Sequence, residues 1–286
     1  MTVRCGYVDT RHGQVHYRES GTGAPLVLLH ATPRSARVYT KLQALLSKRF
    51  RVIAPDTLGF GNSDPLPANV TMPMLAESVA DFIEVLDLQA PAVFGLHTGN
   101  KVGAALSAAR PDLVSRFICC GMTHSIVIDR KQRDDAIKDI VEKYFAAEPT
   151  MPDDTHLLRG WGRTYKSLVD TWWGSRVVDA APVTDTVLEE AQDEVLDRIQ
   201  ARASFDAVYR ANFDFDLAGA LSALTMPVQI IELATPGEDH LGRQAGALLN
   251  LIPNAQAVTF ENTDRDVLEH EPENLAAAIK TFLAAP

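Results

Sequence analysis

The chain has 286 residues, of which 46% are hydrophobic and 22% are charged, and it carries a formal net charge of −10. This composition is typical of a globular protein with enough apolar residues for a sizeable core, built as one large α/β domain or two small ones. The negative charge, together with the lack of a basic cluster on any predicted helix, argues against nucleic acid or an anionic membrane as a partner.

The first half of the chain alternates between predicted strands and predicted helices. Residues 7–20 alternate in polarity and turn at RHG, which is typical of an antiparallel hairpin. Continuous apolar runs then predict strands at 25–30, 50–56, 90–97 and 115–122, and a stretch with helical periodicity follows each of the first three. Because parallel strands are buried on both faces, this pattern predicts an α/β fold with a mostly parallel sheet and helices on both sides.

The alternation stops in the middle of the chain and resumes near its end. Residues 124–220 hold mostly helical, amphipathic segments without a clear strand. Strand patterns return at 226–233 and 255–260, and each is followed by a helical stretch. We therefore predict an α/β core of residues 1–123 and 221–286, with a helical cap of residues 124–220 inserted between two strands.

Cysteine usage and hydropathy give an expectation for the cellular compartment. The cysteines Cys5, Cys119 and Cys120 form neither an even disulfide framework nor a C-x-x-C metal pair, so we expect free thiols in a reducing cytoplasm. The N-terminal segment lacks the apolar region of a signal peptide, and no apolar run approaches the ~18 residues of a membrane span. We therefore expect a cytoplasmic protein that does not bind membranes.

The most informative stretch is VFGLHTGNKVGAA, residues 93–105. An apolar strand, a glycine, a polar residue, a second glycine and a helix follow one another in the order of a nucleophile elbow, with His97 in the nucleophile position. Such a turn lifts one side chain above the carboxyl edge of the sheet and directs the first N–H groups of the helix towards it. Gly95 and Gly99 leave room for the turn, and the N–H of Thr98 is placed to bind an oxyanion.

Five motifs in this order resemble the α/β-hydrolase superfamily, in its cap-bearing branch. They are LLHATP at 28–33, APDTLGFGNSD at 54–64, GLHTG at 95–99, and the C-terminal pair MPVQII and EHEPENL. The resemblance spans nearly the whole chain and implies the α/β-hydrolase fold with a cap over the sheet edge. It also implies that HATP forms the oxyanion loop, with the N–H of Thr32 as a second donor and His30 as a brace.

The chain departs from the pattern of this superfamily at the catalytic positions. The elbow carries His97 where the family has Ser, Asp or Cys, and the family's histidine position falls on Asp264 or Arg265. A Ser-His-acid triad is therefore absent from the expected positions. The acid that usually follows the first C-terminal strand has three candidates: Glu232, Glu238 and Asp239.

A neutral imidazole at the elbow can act as a general base, attack an acyl group or bind a metal. The positive end of the helix favours the neutral form of His97, and we favour the role of a base. A base needs an orienting acid, and Asp264 would supply one if it projects from the family's histidine position. The family's arrangement would then be inverted, with the imidazole on the elbow and the carboxylate on the loop.

Three alternatives for the elbow stay open. His97 could be a packed residue of a protein that binds without turnover, or Thr98 could be a hidden nucleophile one residue past the apex. His30, His97 and His124 follow neighbouring strands in the family's strand order, so their imidazoles could converge on a metal ion. We nevertheless expect no metal and no cofactor, since the resemblance gives His30 a bracing role and His124 stands where the insertion starts.

The predicted cap adds aromatic and cationic side chains to the ligand pocket, and Arg34 on the oxyanion loop could reach an anionic group of the substrate. We also place His30 and His124 among the substrate-binding residues. Together these residues predict a small-molecule ligand with an aromatic or carboxylate group. The tryptophans of the chain all lie in one stretch of the cap: Trp161, Trp172 and Trp173.

The sequence leaves three classes of function open. The first, which we favour, is an enzyme of hydrolase type on a small ester, lactone, thioester or similar carbonyl compound, with His97 as base or nucleophile. The second is a lyase or cofactor-free oxygenase of similar outline, in which His97 abstracts a proton from the substrate. The third is a non-catalytic binding protein with a degenerate triad. A homodimer is compatible with each of them.

Overall fold

The computed structural model describes residues 2–121, 185–234, 243–263 and 267–285, together with the single positions 131, 135, 152 and 159. Among these residues, eight strands form one sheet. The strands are β1 (Arg4–Thr10), β2 (Gly13–Ser20), β3 (Ala24–Leu29), β4 (Phe50–Pro55), β5 (Ala92–Leu96), β6 (Arg116–Cys120), β7 (Val228–Ala234) and β8 (Ala255–Glu261). Their order in the sheet is β1-β2-β4-β3-β5-β6-β7-β8.

The pairing of these strands confirms the predicted sheet. β1 and β2 form the predicted antiparallel hairpin, and β2 also pairs antiparallel with β4. All other neighbouring strands are parallel. The fold is therefore α/β with a mostly parallel sheet.

Helices connect the strands in the described part of the chain. The first α-helix after β3 begins only at Thr40, because a 3₁₀ turn at Ala36–Tyr39 precedes it. The helix after β4 begins at Met72, where the side chain of Thr71 caps it by accepting from the N–H of Met74. The α-helices are α1 (Thr40–Leu46), α2 (Met72–Val85), α3 (Thr98–Ala109), α4 (Asp185–Gln200), α5 (Arg202–Asp214), α6 (Leu217–Ser222), α7 (Ala245–Leu251), α8 (Val267–His270) and α9 (Pro272–Ala284).

The sheet separates two hydrophobic clusters. In β3, Leu26 and Leu28 face one cluster, whereas Val27 and Leu29 face the other, and each of the four is at most 1% exposed. Helices α1 and α9 cover the first cluster, and α2, α3 and α6 cover the second. Burial on both faces explains why the strands read as continuous apolar runs in the sequence.

The direction of the strand connections reverses next to β5. The chain leaves β3 through α1 to reach β4 on one side, but leaves β5 through α3 to reach β6 on the other side. Helices α1 and α3 pack on opposite faces of the sheet, and in open α/β sheets the carboxyl ends of the strands at such a reversal are where ligands bind. His30 follows β3 and His97 follows β5, so both histidines lie at this edge.

Helices α4 and α5 are the part of the predicted cap that lies within the described residues. The boundaries of the cap stay a prediction, because most of residues 122–184 lie outside the described ranges. None of the helices in the described part of the chain combines the length and the apolar character needed to cross a membrane.

Candidate active site

His97 occupies the apex of a sharp turn between β5 and α3. Its backbone has φ 48° and ψ −105°, a sparsely populated combination for a residue with a side chain. Its N–H donates to the carbonyl of Cys120 at 3.2 Å, and its carbonyl accepts from the N–H of Asn100 at 3.0 Å. Such a conformation costs on the order of 1–3 kcal/mol, so the surrounding structure must hold it in place. This is the geometry of a nucleophile elbow, with an imidazole at its apex.

The two glycines of GLHTG are required by close packing. A Cβ atom on Gly95 would lie 2.6 Å from the backbone N of Asn100, and a Cβ on Gly99 would overlap the carbonyl oxygen of Leu29. Neither backbone neighbour can move without displacing β3 or α3. The motif therefore reflects a steric need of the elbow, as its spacing predicts.

The imidazole of His97 leans over the carboxyl ends of β6 and β7. A Cβ atom on Gly121 would lie 2.9 Å from Cε1 and 3.1 Å from Nε2 of His97, and 3.0 Å from Cδ1 of Leu233. Gly121 follows β6 directly and has φ 59°. The ring therefore lies against the backbone of Gly121, beside Leu233, and His97 as a whole is 4% exposed.

Asn100 fixes the backbone beneath the imidazole. Its Nδ2 donates to the carbonyls of Cys120 at 3.0 Å and Gly121 at 2.5 Å, and its Oδ1 accepts from the N–H of Cys120 at 3.1 Å. Asn100 and Gly121 are therefore part of the site although we did not select them from the sequence. The available signals were a polar residue three positions after the elbow apex and a glycine directly after a buried strand.

The two predicted oxyanion donors are neighbours in the structure. Thr98 is the first residue of α3, where the helix leaves its N–H groups without an acceptor of its own. The N–H of Thr32 donates a long hydrogen bond of 3.4 Å to Oγ1 of Thr98, and both residues are at most 9% exposed. Two backbone donors at the positive end of a helix form a suitable place for a developing negative charge.

His30 braces the loop that carries Thr32. Its Nδ1 donates to the carbonyl of Ala31 at 2.9 Å, and its Nε2 accepts from the N–H of Thr57 at 2.9 Å. Burial lowers the pKa of His30 because it disfavours the charged imidazolium, and nearby Asp56 offsets only part of this effect. Both ring nitrogens are used within the protein, so in this arrangement His30 has no nitrogen left for a substrate or for the alternative three-histidine metal site.

Arg34 is paired with carboxylates of the protein itself. Its guanidinium lies 3.3 Å from Asp197, 3.5 Å from Glu194 and 3.4 Å from Glu269. Burial alone would lower the pKa of Arg34, but these three carboxylates together raise it above its ordinary value. The guanidinium predicted to meet an anionic substrate therefore joins the oxyanion loop to α4 and α8 instead.

Glu232, one of the three candidate acids, is an N-terminal cap of α7. Its Oε1 accepts from the N–H groups of Gln244 at 2.7 Å and Ala245 at 2.9 Å, and its Oε2 accepts from the hydroxyl of Thr259 at 3.0 Å. Successive residues of a strand point to opposite faces, and the next residue, Leu233, lies beside His97. Glu232 therefore faces away from the imidazole and is not its partner.

The other predicted site residues fall outside the residues that the structure describes. They comprise the predicted orienting acid, two of the alternative acids and four residues predicted to line the ligand pocket. They are Asp264, Glu238, Asp239, His124, Trp161, Trp172 and Trp173.

Comparison with known proteins shows that the chain is similar to hydrolases. The chain is 32% identical over 118 residues to haloalkane dehalogenase 2 of Mycobacterium tuberculosis, a match that covers 41% of each protein. The chain thus spans about two fifths of the length of the curated relatives that it matches. An epoxide hydrolase, CorEH, superposes with a TM-score of 0.75 at 22% identity and 99% coverage of both chains. An epoxide hydrolase from Vigna radiata superposes with a TM-score of 0.72 at 18% identity and 98% coverage of both.

The family assignment follows from a match to more than half of the chain. The superpositions at these low identities establish the fold alone, and they extend over almost its whole length. The model of the family described as alpha/beta hydrolase fold matches residues 24–206, which include β3, the elbow and α4. The chain therefore belongs to the α/β-hydrolase fold family.

Proposed function

We propose that this protein is an enzyme that hydrolyses a small carbonyl compound, such as an ester, lactone or thioester, with His97 as its central catalytic residue. The observation that carries the proposal is the strained, positive-φ conformation of His97 at the apex of the elbow. A protein keeps such a strained residue when the surrounding structure holds it for a purpose, and these positions cluster at active sites. The hydrolase names of the relatives and neighbours support the same class of reaction.

In this proposal His97 acts as a general base on water. The imidazole takes a proton from a water molecule while the oxygen of that water attacks the carbonyl carbon of the substrate. The electron pair of the carbonyl bond moves to its oxygen, which accepts hydrogen bonds from the N–H groups of Thr98 and Thr32. As the intermediate collapses, the imidazolium returns the proton to the leaving oxygen or sulfur, and an acid and an alcohol or thiol are released.

The proposed orienting acid is Asp264. It follows Thr263, which is 1% exposed and donates to the carboxylate of Glu271. That contact anchors the end of the segment that precedes Asp264, while α8 begins three residues after it. A carboxylate beside an imidazole selects its tautomer and stabilises the imidazolium that forms during proton transfer. We therefore expect Asp264→Asn to lower kcat by about tenfold or more while the protein stays folded.

The test is hydrolysis of an activated ester such as p-nitrophenyl acetate by the wild type and by His97→Ala. We expect the substitution to lower kcat by about 10²-fold or more. His12→Ala is a matched control, because His12 lies on the hairpin turn, where it pairs with Glu77. Circular dichroism must show that both variants are folded. Ester hydrolysis that persists at the wild-type rate in folded His97→Ala would refute the proposal.

The same assay separates the alternatives that use the same residues. If His97 attacks the ester directly, an acyl-imidazole forms and the coloured alcohol appears in a burst before steady turnover. A lyase or oxygenase would leave the ester intact but would exchange the acidic C–H proton of its substrate, and an oxygenase would also consume oxygen. A binding protein would do neither. The elbow carries His97 and no serine nucleophile, and a base without a nucleophile suits a lyase or an oxygenase. For this reason an enzyme that abstracts a proton is the second candidate function.

A further inference from the structure

The oxyanion loop, residues 30–36, makes most of its contacts with α4 through one buried carboxylate, that of Asp197. Asp197 of α4 accepts from the hydroxyl of Ser35 at 2.7 Å and from its N–H at 3.2 Å. It also accepts from Nε of Arg34 at 3.3 Å, and the guanidinium of Arg37 lies 3.5 Å away. All four donors come from three residues that follow Thr32 closely in the chain.

The carboxylate of Asp197 is itself fixed in position. Its side chain is 0% exposed, and Val195 and Ala201 on either side of it in the sequence are at most 2% exposed. A buried carboxylate is tolerated only with good hydrogen bonds and a compensating charge, and Arg34 and Arg37 supply that charge. A small shift of α4 would therefore carry Asp197 away from donors that it cannot exchange for water.

The core holds the same loop at other points. Oδ1 of Asp56 accepts from the N–H of Ala36 at 2.6 Å, and His30 ties the start of the loop to Thr57. These contacts fix the two ends of the loop to the sheet. Among the described residues, the hydroxyl and the N–H of Ser35 both donate to Asp197 of α4. In this part of the chain, the oxygens of Ser35 accept only from the turn that follows it, from the N–H groups of Arg37 and Val38. The two donors of Ser35 thus depend on where α4 lies, while the N–H of Thr32 has, within the described ranges, only its long hydrogen bond to Thr98 of α3.

We propose that Asp197 is a positioning residue that sets the place of the Thr32 N–H, so that the oxyanion hole is complete only when α4 is docked on the loop. The N–H of Thr32 donates to the hydroxyl oxygen of Thr98 over 3.4 Å, a long hydrogen bond, so a small displacement of the loop changes the position of this N–H. The catalytic consequence rests on the proposed hydrolytic function. The positional claim does not, because it concerns contacts within the protein.

The experiment compares Asp197→Asn with Asp193→Asn in the full chain. Asparagine keeps the size of Asp197 but removes the charge and one acceptor that Ser35 and Arg34 use. Asp193 is the matched control, since it lies on the same helix and 3.9 Å from Arg37 but its side chain is 48% exposed. Ser35→Ala provides a milder second variant, because it removes only the hydroxyl bond and leaves the carboxylate in place.

Two readouts decide the proposal. Hydrogen exchange followed by mass spectrometry should show residues 31–36 exchanging about tenfold faster in Asp197→Asn, with β3 and α1 unchanged. Hydrolysis of the activated ester should show kcat lowered by about 10- to 100-fold with KM within about twofold, because misplacement of one oxyanion donor acts on the transition state. Ser35→Ala should show both effects at a smaller size, and Asp193→Asn should show neither.

The possible outcomes lead to separate conclusions. Unchanged exchange of residues 31–36 in Asp197→Asn overturns the proposal, whatever the activity. If Asp197→Asn does not fold, Ser35→Ala decides, and wild-type exchange in that variant overturns the proposal. A fall in ester hydrolysis through KM alone also overturns it. If the wild type hydrolyses no ester, the proposed function has failed, while the exchange data still decide whether Asp197 positions the loop.

Discussion

The imidazole of His16 and the carboxylate of Asp56 form a 2.8 Å hydrogen bond at a position almost closed to solvent. The same carboxylate accepts from the N–H groups of Ala36 at 2.6 Å and Asn62 at 2.9 Å. One side chain thus joins β2, the turn after β3 and the loop after β4. Because Ala36 ends the oxyanion loop, this cluster belongs to the scaffold that holds the site.

The first prediction concerns the stability that this carboxylate supplies. We expect Asp56→Asn to lower the free energy of unfolding by about 2–4 kcal/mol at pH 7, because its amide group must face N–H donors and leaves buried groups unsatisfied. Urea unfolding followed by circular dichroism measures the change. Asp87→Asn is the control, since Asp87 is exposed and its positive φ suits asparagine. Equal stabilities of the two variants would contradict the prediction.

The second prediction is the pH dependence of the same contribution. Burial alone would raise the pKa of Asp56, but the hydrogen bond from His16, the nearby imidazole of His30 and two N–H donors together lower it. The folded state therefore binds this proton less readily than the unfolded chain, whose aspartate pKa is about 3.9. The stabilisation is complete above that pH and is lost as the pH falls through the lower folded pKa. Urea midpoints below about pH 4 should therefore fall less steeply for Asp56→Asn than for the wild type.

The sequence predicted those parts of the site that depend on local sterics. GLHTG identifies an elbow because Gly95 and Gly99 are needed by the backbone within a few residues of the turn. The apolar runs predict the sheet for a similar reason, since burial on both faces dictates the residue types of each strand. Local patterns of this kind can be read from one segment at a time.

The sequence could not predict the pairs that join distant segments. Arg34 was assigned to a substrate anion, whereas its partners Glu194 and Glu269 are 160 and 235 residues further along the chain. A surface arginine and a buried, paired arginine look the same in a sequence. The contact of Asp197 with Ser35, 162 residues apart, is hidden for the same reason. Charges and hydroxyls carry no periodic pattern that would reveal their partner.

The third prediction uses the three thiols as probes of burial. Cys5 is exposed, whereas Cys119 and Cys120 are buried in β6. Burial raises the pKa of both β6 thiols because it disfavours the thiolate, which is the reactive form. We expect Ellman's reagent to modify Cys5 alone in the native protein and all three cysteines in urea. A second thiol that reacts before unfolding would contradict the position of β6 in the core.

The fourth prediction is that Arg34 stabilises the protein by neutralising carboxylates. We expect Arg34→Ala to lower the free energy of unfolding by about 3 kcal/mol at pH 7, because Glu194, Asp197 and Glu269 lose a compensating charge. Burial alone would raise the pKa of Glu194, but Arg198 and Arg34 lower it, so the loss should shrink as the pH falls below about 4.

Arg110→Ala is the control for this experiment. Arg110 also contacts two carboxylates, those of Glu84 and Asp112, but these ion pairs lie at the surface, where water screens them. Urea unfolding at pH 7 should therefore show little change for Arg110→Ala. If Arg34→Ala is as stable as this control, the carboxylates around Arg34 do not depend on it, and the guanidinium is available to a ligand after all.

The last prediction tests whether the glycine after β6 is needed by the imidazole. Gly121→Ala places a methyl group 2.9 Å from Cε1 of His97, in a backbone conformation with φ 59° that already costs a residue with a side chain about 1 kcal/mol. The imidazole has to move, since the backbone of Gly121 is held by Asn100. We therefore expect a shift of the Cε1–H signal of His97 in the NMR spectrum, together with a lower kcat for the activated ester. Gly246→Ala is the matched control, because a Cβ at Gly246 meets no atom within 4 Å and alanine favours the helix. An unchanged His97 signal in a folded Gly121→Ala variant would mean that the ring is not held against this backbone.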